Sequence, residues 1–180
     1  EERYPATSYY YLAFNHRHQF LGDERNGRDV RQAINHGTNR RQWMELVEGG
    51  SGGGIAISGP FPDDSPYNNP RVDVYPYNPD TARALLAQAG FSDTNDDGTL
   101  DKDGKPFKLT VVPRDTMRQS QICRSFQTDM RALDIEVEIE PALSTEAWTQ
   151  RVWHGQDFDV ALGGWSFGLG GDLYALFHST

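Results

Sequence analysis

From Asn78 to Gly164 the chain alternates helical and strand periodicity, and this order restricts the fold more than any single motif. Asn78-Pro79-Asp80 starts a helix with proline in its first turn, where a missing N–H costs nothing. Ala82, Leu85, Leu86 and Ala89 form its apolar stripe, and Gly90 suits the stop. Phe107–Val112 alternates as a strand. Met117–Leu133 carries Ile122, Phe126, Met130 and Leu133 near one helical face. Ile135–Glu140 keeps a strict two-residue period. Ser144 caps a further helix with Trp148 and Val152 on one face and Trp153 beside them. Phe158–Gly164 is the last strand. A parallel strand pair needs a crossover of a dozen or more residues, usually a helix. The order α-β-α-β-α-β therefore predicts an α/β layered domain with a largely parallel sheet.

The first half is less regular. Tyr9–Asn15 is short and aromatic-rich, as strands are. His16–Gly27 is polar and turn-like. Val30, Ala33 and Ile34 define a helix entered at Arg28-Asp29 and stopped by Gly37. Thr38 is the expected N-cap of a second short helix carrying Trp43, Leu46 and Val47. The run Gly49–Gly54 then breaks the pattern, as a native loop or as an engineered linker. Prolines 60, 62, 66, 70 and 76 make the whole stretch 49–78 an irregular surface loop.

Composition excludes several classes. At 180 residues the chain is one domain or lobe, 1–180, large enough for a real core. No run of about 18 apolar residues is available to span a membrane. A net charge of −9 argues against a nucleic-acid partner, which needs clustered Lys and Arg. Cys123 is the single cysteine, so there is no internal disulfide; flanked by Ile122 and Phe126, it is expected to be a buried thiol. There is no G-x-S-x-G, H-E-x-x-H, P-loop or dinucleotide fingerprint, and an enzyme is not expected. The chain opens on Glu1 without a signal-like segment and closes on Phe177-His178-Ser179-Thr180; both ends are expected to be cuts from a longer chain.

Two places carry candidate chemistry. In open α/β sheets, solutes collect beyond the carboxyl ends of strands. Strand 107–112 runs into Pro113-Arg114-Asp115, and strand 158–163 runs into Gly164-Trp165-Ser166-Phe167. Trp165 offers a flat apolar face and one N–H, suited to a peptide side chain or a sugar ring; the competing reading is core packing. Arg114 suits a bidentate carboxylate contact, or else is a surface arginine, solvated or paired with Asp115. The second place is an acidic loop. Asp93, Asn95, Asp97, Gly98 and Asp101 stand at positions 1, 3, 5, 6 and 9 of a calcium-loop pattern. The twelfth position, which needs a bidentate Glu, is Gly104, so a polar turn competes with a calcium site. Calcium is the only candidate ion. His16 and His18 are too few for a tight metal site and are expected to be solvated.

Several segments together resemble the family 5 extracellular solute-binding proteins of ABC importers for dipeptides, oligopeptides and nickel. Tyr11-Leu12-Ala13-Phe14-Asn15 resembles that family's "Y-L-x-F-N" strand, and Val30-Arg31-Gln32-Ala33-Ile34 its "V-R-x-A-I" helix. Tyr77 to Phe91 resembles its "Y-x-P-x-x-A-x-x-L-L-x-x-A-G-F" helix. Asp134-Ile135-Glu136-Val137 resembles its "G-I-x-V" block, and Gly164-Trp165 with Phe177-His178-Ser179 its "G-W … F-H-S" ending. The match is collinear from about residue 8 to 179. The resemblance implies a periplasmic-binding-protein type II lobe, with a mixed, mostly parallel sheet flanked by helices. It implies the C-terminal lobe of a two-lobed receptor outside the cytoplasmic membrane. The expected partners are a small solute such as a peptide, the missing N-terminal lobe and an ABC permease. Peptide binders of this family commonly carry an acid three residues after the tryptophan; here that position is Gly168, and Asp172 is the candidate substitute. A sensor domain of the same fold, and a calcium-stabilised interaction module, are the alternative functions.

Overall fold

The computed structural model describes residues 8–48, 57, 59–61, 65–72 and 75–166. The glycine run 49–54 lies outside them. Strand β1 spans Ser8–Phe14, and helices α1 and α2 span Gly27–Gly37 and Arg40–Glu48. Helix α3 covers Pro79–Gln88. A two-residue hairpin, β2 (Asp101–Lys102) and β3 (Lys105–Pro106), precedes β4 (Lys108–Val112). Then come α4 (Met117–Arg131), β5 (Glu136–Ile139), α5 (Thr145–Trp148) and β6 (Val160–Ser166). The main sheet has the order β1-β6-β4-β5. Strand β4 is parallel to β5 and to β6, as the alternation predicts. The aromatic first strand joins antiparallel to β6, with Tyr9 opposite Trp165 and Phe14 opposite Val160. The sheet is mixed and mostly parallel.

The two-residue strand period sorts side chains between two cores. Leu109, Val111, Val160 and Leu162 enter the larger one, against Ile34 of α1, Leu86 of α3, and Ile122 and Phe126 of α4. Val112 and Ala161 enter a smaller one, with Trp148 and Val152. The last helix thus covers the opposite sheet face, at the end where β4 and β6 stop.

Side-chain caps start α3, α4 and α5. Asn78 accepts from the Thr81 N–H at 3.1 Å, Thr116 from Gln119 at 3.2 Å and Ser144 from Ala147 at 3.2 Å. Gly90 supplies the positive φ, +89°, that lets the chain leave α3. Three features differ from expectation. Thr38 does not cap α2: its hydroxyl donates back to the Ile34 carbonyl at 2.7 Å and closes α1. The Asn39 carboxamide accepts from the Gln42 N–H instead, at 3.4 Å. The helix begun at Thr145 widens into a π-helix over Thr149–His154, which propensity does not foresee.

Candidate functional site

The carboxyl ends of β4 and β6 and the amino end of the antiparallel β1 lie at one edge of the sheet. Val112 is in register with Ala161, so Gly163, Gly164 and Trp165 run past the end of β4. The chain turns there at Pro113, and Arg114 bridges to Leu143. Arg114 is held from several sides. Its backbone N–H donates at 2.8 Å to Oε1 of the buried Gln119. Its guanidinium carbon stands 5.5 Å from the centroid of the Trp148 ring. That ring is itself fixed, because its Nε1–H donates to the Val112 carbonyl at 3.1 Å. The Arg114 Nε is buried and has no hydrogen-bond partner among the described residues. None of the ion pairs among the described residues includes Arg114, so the surface pairing with Asp115 is not formed.

The neighbouring glycines make room for this arrangement. An added Cβ on Gly164 would lie 3.2 Å from Nη2 of Arg114. An added Cβ on Gly163 would lie 2.4 Å from Cζ of Tyr11, whose ring covers that glycine from the opposite strand. Burial and the nearby Tyr9 push the Tyr11 hydroxyl above its ordinary pKa, and the positive charge of Arg114 pulls it partly back. Trp165 is half-buried, and its ring lies 6.2 Å from that of Trp153 at an angle of 36°. Trp153 belongs to the π-helical segment and is 44% exposed.

Gly164 and Arg114, expected at strand ends from the sequence, come together at one sheet edge; Trp165 follows Gly164 on β6, and its ring packs toward Trp153. Ser166 is the exposed last residue of β6. Phe167 and Asp172 lie outside the described residues. Trp148, Trp153 and Gln119 were not expected to flank the site. The signal for Trp148 was its helical spacing to Val152; nothing in the spacing marks the π-turn that separates the buried Trp148 from the exposed Trp153.

The acidic loop folds back on itself. The Asp93 carboxylate accepts N–H groups from Asn95, Asp97 and Gly98, which pulls its pKa below the ordinary carboxylate range. Asn95 donates to Asp97 at 3.0 Å. Asp101 is buried in the small hairpin, and its carboxylate accepts from both the N–H and the hydroxyl of Thr94. Among the described residues no group of three or more His, Cys, Asp or Glu is placed to hold a metal. His18 also differs from expectation. It is half-buried, and its Nδ1 accepts the N–H groups of Phe20 and Leu21 at 3.2 and 3.3 Å, which ties down the polar turn. Cys123 is buried, and burial pushes its thiol up to about 12.

Comparison with known proteins agrees with this architecture. The family model of bacterial extracellular solute-binding proteins, family 5 Middle, matches residues 1–179. This chain belongs to that family. A family 5 relative, the oligopeptide-binding protein AppA of Bacillus subtilis, is 33% identical over 97% of this chain and 32% of its own length. The structure of that AppA in complex with a nonapeptide superposes with a TM-score of 0.83 at 31% identity, over 97% of this chain and 34% of AppA. NikA from Brucella suis, in complex with Fe(III)-EDTA, superposes at 0.77 with 26% identity, over 95% of this chain and 32% of NikA. This family 5 chain thus spans about one third of the length of the relatives it matches. Family 5 proteins bind solutes and are not enzymes. No helix among the described residues is long and apolar enough to cross a membrane.

Proposed function

We propose that this chain is the C-terminal lobe of a two-lobed receptor that captures a peptide, or a similar carboxylate-bearing solute, for an ABC permease outside the cytoplasmic membrane. The observation that carries the reading is Arg114. A partly buried guanidinium with an unpartnered Nε needs an anion, because burying a charge without a counter-charge is costly. A carboxylate entering at the Gly164 strand end would meet it, with the planar geometry suited to two parallel hydrogen bonds. Trp165, the next residue on β6, is proposed to add a flat apolar wall at the same strand end. Phe167, Asp172 and Ser166 continue that edge in sequence and are proposed to extend the contact. The second wall comes from the other lobe, which closes on the solute by hinge motion. The oligopeptide and metal-chelate ligands of AppA and NikA support a polar, carboxylate-bearing solute.

Calorimetry on the full-length receptor with a set of tripeptides tests the reading. Trp165→Ala is expected to weaken peptide binding by about 1–3 kcal/mol while the lobe stays folded. Loss of folding without a separable binding defect would make Trp165 a core residue and remove the site.

A further inference from the structure

Helix α1 presents two arginines to a cleft whose lining holds no carboxylate. Phe14 of β1, Arg28, Arg31, Gln32 and Asn35 of α1, and Tyr75 enclose a cavity of about 260 Å³. The four α1 residues follow the three- and four-residue spacing that puts side chains on one helical face. Phe14 stands opposite Val160, whereas Tyr9 stands opposite Trp165, so the cleft lies at the other end of the β1–β6 ladder from the Gly164 strand end.

The charge at this cleft is uncompensated. None of the ion pairs among the described residues includes Arg28 or Arg31. In a chain with 26 acidic and 17 basic residues, two arginines side by side without an acid are against the average. Arg28 also sits in the first turn of α1, where the helix macrodipole is positive and a cation is unfavourable. Asp29, the acid of that turn, does not line the cleft. An anion in the cleft would answer both charges.

The lining is also held in place. Nη1 of Arg31 donates to the Leu21 carbonyl. The Tyr75 carbonyl accepts from Nη2 of Arg40, and its ring meets His36 edge-on at 5.5 Å. The Tyr75 hydroxyl accepts from Nε2 of Gln32 at 3.2 Å, which leaves its own O–H to donate elsewhere. The Asn35 carboxamide is already used, donating to the Arg31 carbonyl at 2.9 Å. Two guanidinium forks and a phenol O–H offer more donors than a single carboxylate can accept, and a phosphate has the further oxygens to take them. We infer that Arg28, Arg31 and Tyr75 form a binding site for a phosphate group, separate from the peptide site proposed above.

The test titrates inorganic phosphate into the full-length receptor in a chloride buffer, followed by calorimetry. The inference expects saturable binding at a single site. Arg28→Met is expected to weaken it at least roughly tenfold, the scale of a lost charge-assisted hydrogen bond. Arg28→Lys recovers part of that loss, because it keeps the charge and not the fork. Tyr75→Phe, which removes only the hydroxyl, is expected to weaken binding about threefold. Circular dichroism of each variant confirms that the fold is kept. No saturable binding of phosphate, or binding that Arg28→Met leaves unchanged, would overturn the site. Sedimentation with vesicles then assigns the source of the phosphate. Retention on phosphatidylglycerol but not phosphatidylcholine vesicles, lost in Arg28→Met, assigns it to a lipid headgroup. No retention, or retention that Arg28→Met leaves unchanged, assigns it to a free phosphate compound.

Discussion

Placing alanine at Gly163 and, separately, at Gly164 probes how tightly the site edge is built. The two glycines are adjacent on β6, yet their surroundings differ. At Gly163 the new methyl would stand 2.4 Å from Cζ, 2.6 Å from the hydroxyl oxygen and 2.8 Å from Cε2 of Tyr11. Those atoms belong to a ring held directly across the ladder, so the ring or the strand has to move. Such overpacking typically costs about 1–3 kcal/mol. Removing a glycine returns about 0.4–1 kcal/mol by restricting the unfolded chain. Gly163→Ala is thus expected to destabilise by about 1–2 kcal/mol. At Gly164 the nearest atom is the tip of Arg114 at 3.2 Å, followed by Tyr10 ring carbons at 3.5 Å. A 3.2 Å contact asks the guanidinium tip to shift by far less than the Tyr11 ring must, so Gly164→Ala is expected to change stability by less than about 0.5 kcal/mol. Urea unfolding at constant m-value measures both. In a Tyr11→Ala background the methyl at 163 meets no ring, and the double-mutant cycle is expected to return a coupling of about 1–2 kcal/mol. Additive effects, or equal costs at 163 and 164, would refute the argument that Tyr11 sits over Gly163.

Further outcomes follow from the buried and loop groups. His18 is held below its ordinary pKa by burial, with Asp159 and the Lys108 carbonyl acting against that shift. A folded pKa below the unfolded one gives stability that is full above about pH 6.5 and lost as the pH falls through the folded value. Urea midpoints are expected to drop from pH 7.5 to pH 5, and His18→Asn to flatten that drop; the same slope in both proteins would be the contrary result. Cys123 is expected to resist iodoacetamide at pH 8 in the folded chain and to react once urea unfolds it, as mass spectrometry would report. The Asp93 loop is proposed to take calcium only in the roughly 10⁻⁴–10⁻³ M range, because its carboxylates already accept loop N–H groups. A melting temperature unmoved by about 10 mM calcium would reduce the loop to a turn.

Much of the fold was legible because its signals are local. The strict alternation of Glu136–Ile139 and the capped stripe of α3 depend on residues next to one another in sequence. The sheet edge was also foreseeable, since parallel strands place their carboxyl ends together, and this is why the sequence puts Arg114 and Trp165 at strand ends. What was missed depends on distant partners. The Asn39 N–H is bound by the Asp129 carboxylate of α4 at 2.9 Å, which helps set the α1–α2 junction that Thr38 was expected to cap. The hairpin β2–β3 is only two residues per strand, too short for a period to emerge. The π-turn that carries Trp153 gives no spacing signal, because Trp148 and Val152 satisfy an ordinary helix equally well. The inward role of His18 likewise rests on backbone N–H groups that a turn brings to it.

The central claim is that the Arg114 cation waits for the carboxylate of a solute. Its most direct test is calorimetry of the full-length receptor with Ala-Ala-Phe and with the same peptide amidated at its carboxyl terminus. The account predicts that the free acid binds at least roughly tenfold more tightly than the amide, and that Arg114→Met removes the difference. Equal affinity for acid and amide in the wild-type receptor, or a preference for the acid that survives Arg114→Met, would contradict it.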